Sequence, residues 1–259
     1  MNAAAPVIEV DSIVTRFGAQ TVHDGATFSV ARGQVAAMIG GSGSGKSVLL
    51  HEIIGLLKPT AGTVRLFGTD VWTASAGELG KLRQRFGMMF QDGALFSSLT
   101  VAQNVATPLI EHAAVPADLL WPLVGLRITL AGLPIDAAAK MPSELSGGMR
   151  KRAAVARALA LEPEVLFLDE PTSGLDPVTA RAFDALVRFL CDDLGLTILL
   201  VTHDLDTLFG IVDRVIVLAG GKVIGCGSLK DVMQLDDPWV RSYFASRTYH
   251  GEAGGNHGT

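Results

Sequence analysis

The stretch "GGSGSGKS", residues 40–47, decides the fold of this chain of 259 residues. It fits the pattern G-x-x-x-x-G-K-[ST], follows the apolar run "VAAMI" and runs into the helical pattern "SVLLHEIIGLL". In such a unit the glycines let backbone N–H groups turn towards a phosphate, and the helix N-terminus adds favourable partial charge. The pattern therefore predicts a nucleoside triphosphate site; a flexible glycine loop before a helix is the plainer alternative.

Two side chains of this loop are given chemical roles. Lys46 is predicted to neutralise the β- and γ-phosphates, and the Ser47 hydroxyl is predicted to ligate Mg²⁺. The rest of the predicted phosphate site consists of Gly40, Gly41, Ser42, Gly43, Ser44, Gly45 and Val48.

A second stretch, "VLFLDEPTSGLDP" at residues 165–177, supplies carboxylates. Its apolar start predicts a buried strand, so Asp169 and Glu170 emerge at the carboxyl end, where ligands bind in parallel α/β sheets. We predict that Asp169 holds Mg²⁺ through water and that Glu170 orients and deprotonates the attacking water. A plain acidic strand end is the alternative.

Three other polar residues lie at comparable positions. His203 follows the apolar run "ILLVT", where it could contact the γ-phosphate or the water, although a lone histidine is more often structural. Gln91 follows "GMMF" and could reach Mg²⁺ or water; an ordinary surface glutamine is the alternative. Asp176 precedes Pro177 and suits the N-cap of a helix, whatever else it does.

Composition limits the class of protein. Hydrophobic residues make up 49% of the chain and charged residues 18%, yet no apolar run reaches the eighteen or more residues of a membrane span. The first residues, "MNAAAPVIEVDSIV", are not expected to form a secretory signal. The formal net charge of −5 argues against a general nucleic-acid binder, so no nucleic-acid partner is expected. Cys191 and Cys226 are interpreted as reduced core residues.

The order of apolar and helical patterns predicts an α/β fold with a largely parallel central sheet, preceded by strands of a more antiparallel kind. Residues 92–161 show helical patterns only and are interpreted as an inserted helical subdomain. We expect a single domain over residues 1–246 and a disordered tail over residues 247–259. The predicted strands are residues 7–14, 27–30, 34–39, 63–67, 86–90, 165–168, 197–201, 215–218 and 222–226; the predicted helices are 46–57, 100–111, 117–131, 148–161, 178–194 and 204–210.

Taken in order, the motifs "GGSGSGKS", "FQD", "LSGGM", "VLFLDE", "SGLD" and "VTHD" resemble those of ABC ATPases over about residues 7–244. The resemblance implies a P-loop NTPase (RecA-like) core with an antiparallel β subdomain and the helical subdomain. It also implies hydrolysis of ATP with Mg²⁺. Phe17, in "TRFG", falls where the family places an aromatic ring that stacks on adenine.

The second glycine turn, "LSGGMRKR" at residues 145–152, is also explained by this resemblance. Ser146, Gly147 and Gly148 open a helix whose N–H groups can bind an anion. In the family this turn covers the ATP held by the opposite subunit. Asp176 is also predicted to belong to the nucleotide site. The resemblance therefore implies a homodimer that encloses two nucleotides; an ordinary serine-capped helix is the alternative.

A narrower resemblance is to the ATPases that work with MCE lipid-binding proteins in Gram-negative, Mla-type phospholipid transporters. It depends on Met149 and on "GALFSSLTVAQNVATPLIEH" at residues 93–112, whereas "PTSGLDP" is the general ABC form. It implies a peripheral ATPase on the cytoplasmic face of the inner membrane, energising lipid transport between the inner and outer membranes with integral-membrane permease subunits and an MCE-type protein. The side chains expected to form an apolar permease-docking groove, or else subdomain core, are Ala94, Leu95, Phe96 and Leu99.

Other interpretations stay open at this point. One is the ATPase of an importer for amino acids or another small solute. Another is a soluble ABC ATPase acting on DNA or ribosomes, although the chain has one cassette and no coiled-coil pattern. A nucleotide switch without turnover is disfavoured by Glu170 and His203. The aromatic residues Trp239, Tyr243, Phe244 and Tyr249 are expected to pack on a partner or on the second subunit.

Overall fold

Two β-sheets with surrounding helices make up the fold in a computed structural model that describes residues 6–252, with side chains described up to residue 245. The strands are β1 (Pro6–Phe17), β2 (Gln20–Ala31), β3 (Val35–Ile39), β4 (Ala61–Leu66), β5 (Thr69–Asp70), β6 (Phe86–Met89), β7 (Val165–Asp169), β8 (Thr197–Val201), β9 (Arg214–Ala219) and β10 (Lys222–Gly227). The helices are α1 (Lys46–Ile53), α2 (Ala76–Gln84), α3 (Val101–His112), α4 (Ala117–Leu130), α5 (Gly147–Ala158), α6 (Pro177–Asp192), α7 (Leu205–Ile211), α8 (Leu229–Met233) and α9 (Pro238–Glu252).

The larger sheet has six strands in the order β10–β9–β3–β8–β7–β6. The strands from β9 to β6 run parallel, and β10 pairs antiparallel with β9 at the edge. Every residue of β3, β7 and β8 is buried, as expected for parallel strands covered on both faces. The predicted α/β fold is confirmed, and its parallel strands bring their carboxyl ends to one edge.

The smaller sheet is antiparallel, in the order β2–β1–β4–β5, as predicted for the early strands. β1 and β2 pair from Pro6 with Ala31 to Phe17 with Gln20, and Gly18 turns the chain with a φ of 59°. Both strands are longer than predicted. The predicted ranges are too short because exposed polar residues interrupt the apolar runs of both strands. Many inward-facing positions of β1 and β2 are nevertheless buried.

Alternation along β3 separates two core layers. Val35, Ala37 and Ile39 face the layer that contains helices α3 to α6, whereas Ala36 and Met38 face the layer between the two sheets. Helix α1 lies in this second layer through Leu49, Leu50 and Ile53. The helix that begins at the phosphate loop is therefore held between the two sheets.

The chain between β6 and β7 is helical throughout its regular elements, as its patterns predicted. It contains α3, α4, α5 and two short 3₁₀ turns, Ile135–Ala139 and Pro142–Glu144. Thr100 begins α3 with a capping box, in which its side chain accepts from the Gln103 N–H and the Gln103 side chain accepts from the Thr100 N–H.

Several predicted helix boundaries were wrong. Helix α1 ends at Ile53 and not at residue 57, because Gly55 turns the chain with a φ of 75°. The prediction also lacked α2, α8 and α9. Helices α2 and α8 each begin with a capping box, Ser75 with Glu78 and Ser228 with Asp231, which was a readable signal.

At the C-terminal end, the expectation of a disordered tail over residues 247–259 stays a prediction. In the structure α9 continues through residues 247–252. The sequence offers a reason, since no glycine or proline follows Pro238 until Gly251. Residues 253–259 lie outside the described residues. Within residues 6–252, no helix has the length and apolar character needed to cross a membrane.

Candidate functional site: a nucleotide cleft

A cleft of about 610 Å³ lies at the edge where the parallel strands end. Gly40 follows β3, Gln91 follows β6, Glu170 follows β7 and His203 follows β8, so the sheet topology brings together motifs far apart in sequence. The residues that line the cleft are Phe17, Gln20, Val22, Gly40, Ser42, Gly43, Gly45, Lys46, Ser47, Val48, Gln91, Glu170, Val201 and His203.

The phosphate loop depends on glycine at two of its fixed positions. Gly45 has a φ of 95° and is the N-cap of α1, a conformation that L side chains rarely adopt. At Gly40 a Cβ atom would lie 2.2 Å from the carbonyl oxygen of Leu218 in β9. The loop therefore lies against the sheet, and α1 presents its N-terminus to the cleft.

Lys46 is held over the loop by the loop's own backbone. Its Nζ donates hydrogen bonds to the carbonyl oxygens of Gly40 and Gly41, at 2.9 and 3.0 Å. Burial lowers the pKa of this ammonium group, and the negative charges of Glu170 and Asp169 oppose that effect. This placement is compatible with the role predicted for Lys46, the neutralisation of phosphate oxygens, which stays a prediction.

Glu170 and His203 form a contacting pair at the mouth of the cleft. His203 Nδ1 lies 2.8 Å from Glu170 Oε2, and the histidine side chain is 69% exposed while that of Glu170 is 15% exposed. The carboxylate thus has a fixed partner on one oxygen and faces the cleft. A base so placed can take a proton from a water between it and a phosphate.

The backbone of Glu170 is held in an unusual conformation. Its φ is 49°, in the left-handed region, and its N–H donates to Val201 O at 2.9 Å. Its carbonyl oxygen accepts from Lys151 Nζ at 2.8 Å and from Ser173 Oγ at 3.0 Å. Lys151 belongs to α5, so the helix that begins at the second glycine turn positions the acid of its own chain.

Asp169 has the properties of a cation ligand. It is only 6% exposed, the Ser47 hydroxyl donates a hydrogen bond to it, and its Oδ1 has no hydrogen-bond partner among the described residues. Burial and the charge of Glu170 raise the pKa of Asp169, so a divalent cation would stabilise the ionised form. A buried oxygen beside a hydroxyl fits Mg²⁺, and Ser47, Asp169 and Gln91 are the residues that would hold it. The cation would supply charge stabilisation at the phosphates.

The second glycine turn lies outside this cleft. Ser146 is the N-cap of α5, with its Oγ accepting from the Met149 N–H at 3.2 Å. A Cβ atom at Gly148 would lie 2.6 Å from Thr179 Cγ2, so the start of α5 packs on the start of α6. Asp176 caps α6 by accepting from the N–H groups of Val178 and Thr179, each at 3.0 Å. None of the residues Ser146, Gly147, Gly148 and Asp176 lines the chain's own cleft.

Two predicted loop residues face a neighbouring cavity. Gly41 and Ser44 line a space of about 470 Å³, which Trp239 of α9 also lines. Trp239 stacks on Tyr243 with ring centroids 4.8 Å apart, and Phe244 is buried. All three pack against their own chain's core, but only Phe244 is buried, whereas Trp239 and Tyr243 are partly buried. The hypothesis that they pack on a partner or on the second subunit is therefore wrong for Phe244 and stays a prediction for Trp239 and Tyr243. The side chain of Tyr249 lies outside the described residues.

The structure adds residues that the sequence reasoning missed. Gln20, Val22 and Val201 line the cleft. Behind the loop, His23 is completely buried at an inward-facing position of an alternating strand, a signal that could have been read.

Comparisons with known proteins assign the family. The family model described as "ABC transporter" matches residues 23–173, more than half of the chain. The chain belongs to the ABC transporter ATPase family. A shorter match, over residues 139–208, is to the model "AAA domain, putative AbiEii toxin, Type IV TA system".

Curated relatives of this ABC ATPase include transport proteins. The intermembrane phospholipid transport system ATP-binding protein MlaF of Haemophilus influenzae is 39% identical over 231 residues, covering 89% of this chain and 87% of that protein. MlaF of Escherichia coli K12 is 38% identical over 242 residues, covering 93% and 90%. The probable ribonucleotide transport ATP-binding protein mkl of Mycobacterium tuberculosis H37Rv is 38% identical over 240 residues, covering 93% and 67%.

Solved structures agree with the fold of this ABC ATPase. The dimeric ATP-binding cassette MJ0796, described as a post-hydrolysis state bound to ADP and Pi, superposes with a TM-score of 0.77 at 31% identity, covering 86% of this chain and 98% of that one. The protein cbiO1 from Clostridium perfringens, part of the ABC transporter complex cbiONQ, gives a TM-score of 0.80 at 31% identity, covering 93% and 99%. The P-loop NTPase fold and the ATPase activity predicted from the motifs are confirmed.

Proposed function

We propose that this ABC ATPase hydrolyses ATP to drive transport of phospholipid, or a related hydrophobic lipid, between the inner and outer membranes. It would act at the cytoplasmic face of the inner membrane, beside integral-membrane permease subunits and an MCE-type lipid-binding protein. The observation that carries this proposal is the 38–39% identity to two MlaF proteins over about nine tenths of each chain. Both relatives are phospholipid transport ATP-binding proteins by name.

A preformed surface supports a membrane partner. The segment of residues 93–99 presents Phe96, which is 51% exposed, although Leu95 packs partly on the core. Asn104, fully buried, accepts from the Phe96 N–H at 2.8 Å and donates to the Phe96 carbonyl at 3.1 Å. Arg157 donates to the carbonyls of Ala94 and Gly93, at 2.7 and 3.0 Å. The Phe96 ring is exposed while its backbone N–H and carbonyl are both held by hydrogen bonds. Such a prearranged aromatic side chain suits docking of a partner protein, because little conformational entropy is lost on binding.

We propose the following roles for the residues of the nucleotide site. Phe17, which is 49% exposed, stacks on adenine, and the loop of residues 40–47 with Val48 holds the phosphates. Ser47, Gln91 and Asp169 hold Mg²⁺, Glu170 activates water, and His203 and Gln91 orient it near the γ-phosphate.

Two chains would complete two sites. The N-terminus of α5 at Ser146–Gly148 and the adjacent Asp176 lie outside their own cleft, and the similar cassette MJ0796 is described as dimeric. We therefore propose a homodimer in which each second glycine turn covers the ATP of the opposite subunit.

A small-solute transporter is the second candidate. It is favoured by the 38% identity to mkl, which is named for probable ribonucleotide transport. The two candidates share the ATPase chemistry and differ in the cargo and in the partner proteins.

Purification of the tagged full-length protein from native membranes tests the proposal. Recovery of a multi-pass permease with an MCE-domain protein and bound phospholipid supports lipid transport. A permease with a solute-binding protein and no lipid would favour the second candidate. Recovery with ribosomes or DNA and no membrane subunit would contradict both transport proposals.

A further inference from the structure

Three polar side chains are buried together behind the phosphate loop. Thr15 of β1, His23 of β2 and Glu52 of α1 are each at most 2% exposed, and Thr15 and His23 are paired across the two strands. Thr15 Oγ1 lies 2.8 Å from His23 Nδ1 and donates to Glu52 Oε1 at 2.5 Å. The remaining oxygen, Glu52 Oε2, lies 3.2 Å from His23 Nδ1, at ion-pair distance.

The other ring nitrogen of His23 contacts the phosphate loop itself. His23 Nε2 lies 3.1 Å from the carbonyl oxygen of Gly45, the residue before Lys46. A Cβ atom at position 45 would lie 2.5 Å from Nε2, so the imidazole supports the loop at its left-handed residue. The three side chains thus join the β1–β2 hairpin, the loop and the body of α1.

Hydrogen-bond polarity fixes the proton on one ring nitrogen of His23. The Gly45 carbonyl only accepts, so Nε2 carries a proton. The Thr15 hydroxyl lies within hydrogen-bond distance of both His23 Nδ1 and Glu52 Oε1, so it bridges the imidazole and the carboxyl group.

Stability alone is a poor explanation for such a group. Replacing a buried, mutually bonded polar or ionic pair by apolar residues of similar volume is often neutral or stabilising, whereas removing one partner leaves the other buried and unsatisfied. The surroundings here are apolar, since the neighbouring residues of α1 on the same side, Leu49, Leu50 and Ile53, are buried core. Apolar side chains in place of His23 and Glu52 could not supply the hydrogen-bond donor that the Gly45 carbonyl receives from His23 Nε2.

We propose that His23 is a positioning residue for ATP binding, held by Glu52 and Thr15 and acting through the Gly45 carbonyl. It fixes the loop N–H groups and Lys46 in the orientation that receives the phosphates. It also joins the two ends of the nucleotide site. Thr15 lies two residues before Phe17, and Val22, beside His23, lines the cleft. The inference rests on the ATPase activity and not on the identity of the cargo.

Two single variants of the full-length protein test the two ring nitrogens of His23 separately. The amide nitrogen of His23→Gln can reach the place of Nε2 and donate to Gly45, but it loses the link to Glu52. The amide of His23→Asn can reach the place of Nδ1 and keeps that link, but it loses Gly45. We expect His23→Asn to raise the KM for MgATP about tenfold with a smaller change in kcat, and His23→Gln to keep KM within about twofold while melting at a lower temperature.

A double variant, His23→Leu with Glu52→Leu, removes both polar partners together. We expect it to melt close to the wild-type temperature yet bind a fluorescent ATP analogue about tenfold more weakly. Equal KM values for the Asn and Gln variants, or wild-type nucleotide affinity in a folded double variant, would overturn the proposal. If the double variant does not fold, the comparison of the two single variants decides. Failure of the transport proposal would leave these nucleotide measurements unchanged.

Discussion

His203 Nδ1 and Glu170 Oε2 lie 2.8 Å apart, at the ends of two adjacent parallel strands. The pairing engages one carboxylate oxygen of Glu170, a residue that lines the cleft. Because the strand β7 ends at Asp169, the proposed cation ligand Asp169 and the proposed base Glu170 are consecutive residues.

Changing Glu170 to Gln is expected to slow hydrolysis while ATP binding is retained. A general base typically contributes roughly 100- to 10,000-fold to a rate, and the amide keeps the size of the side chain but cannot take the proton. Steady-state phosphate release and nucleotide titration measure the two properties. Asp193→Asn, an acid-to-amide change on the surface, serves as the control, and near-normal turnover by Glu170→Gln would contradict the assigned role.

Changing Ser146 to Arg is expected to abolish turnover without weakening ATP binding by the monomer. Ser146 lies at the start of α5, remote from its own cleft, so a bulky side chain there would block only the opposite subunit. Light scattering with ATP should show loss of the dimer. Thr129→Arg, at an exposed position of α4, is the matched control. Loss of ATP binding by the monomer would point to misfolding and away from this explanation.

Lys151 is expected to matter for kcat because it fixes the backbone of Glu170. A hydrogen bond from a charged donor contributes about 1.5–3 kcal/mol, and its loss would let Glu170 leave the left-handed conformation. We expect Lys151→Met to lower kcat about tenfold, corresponding to about 1.4 kcal/mol, with little change in KM. Lys151→Arg should recover part of the rate, whereas the surface change Lys81→Met should have no effect. A Lys151→Met enzyme with wild-type kcat would refute this link.

Asp184 gives a prediction for stability against pH. Burial, opposed by hydrogen bonds from Thr207 and aided by the charges of Asp204 and Asp206, raises its pKa from 3.8 to about 6. The folded protein therefore binds a proton that the unfolded chain releases between these values, so this group's contribution to stability is full below 3.8 and is lost as the pH rises through about 6.

The variant Asp184→Asn removes that pH-dependent penalty. We expect it to be more stable than the wild type by roughly 1–3 kcal/mol at pH 7.5, with the gain shrinking as the pH falls towards 4. Denaturant unfolding at several pH values measures the difference. An advantage that does not change over this range would show that ionisation of Asp184 is not its cause.

Much of the site could be predicted from the chain alone because its parts follow apolar strands. Gly40, Gln91, Glu170 and His203 each come just after a strand of the parallel sheet, and a parallel sheet collects such residues at one edge. Gly45 could likewise be expected, since the loop needs a left-handed residue there. Gly41 and Ser44 fit the same motif but face the neighbouring cavity, because local pattern does not fix which side of a loop a residue takes.

The sequence by itself determined the α/β alternation of the core, the phosphate loop and the two acids at the end of β7, because periodicity and short motifs act over a few neighbouring residues. Only the tertiary structure decided which distant side chains meet. Thr15, His23 and Glu52 come from three elements, and their contact arises from the packing of α1 between two sheets. Trp239 and Lys151 likewise reach the loop and Glu170 only through the packing of α9 and α5. Such contacts depend on distance in space, which spacing along the chain does not encode.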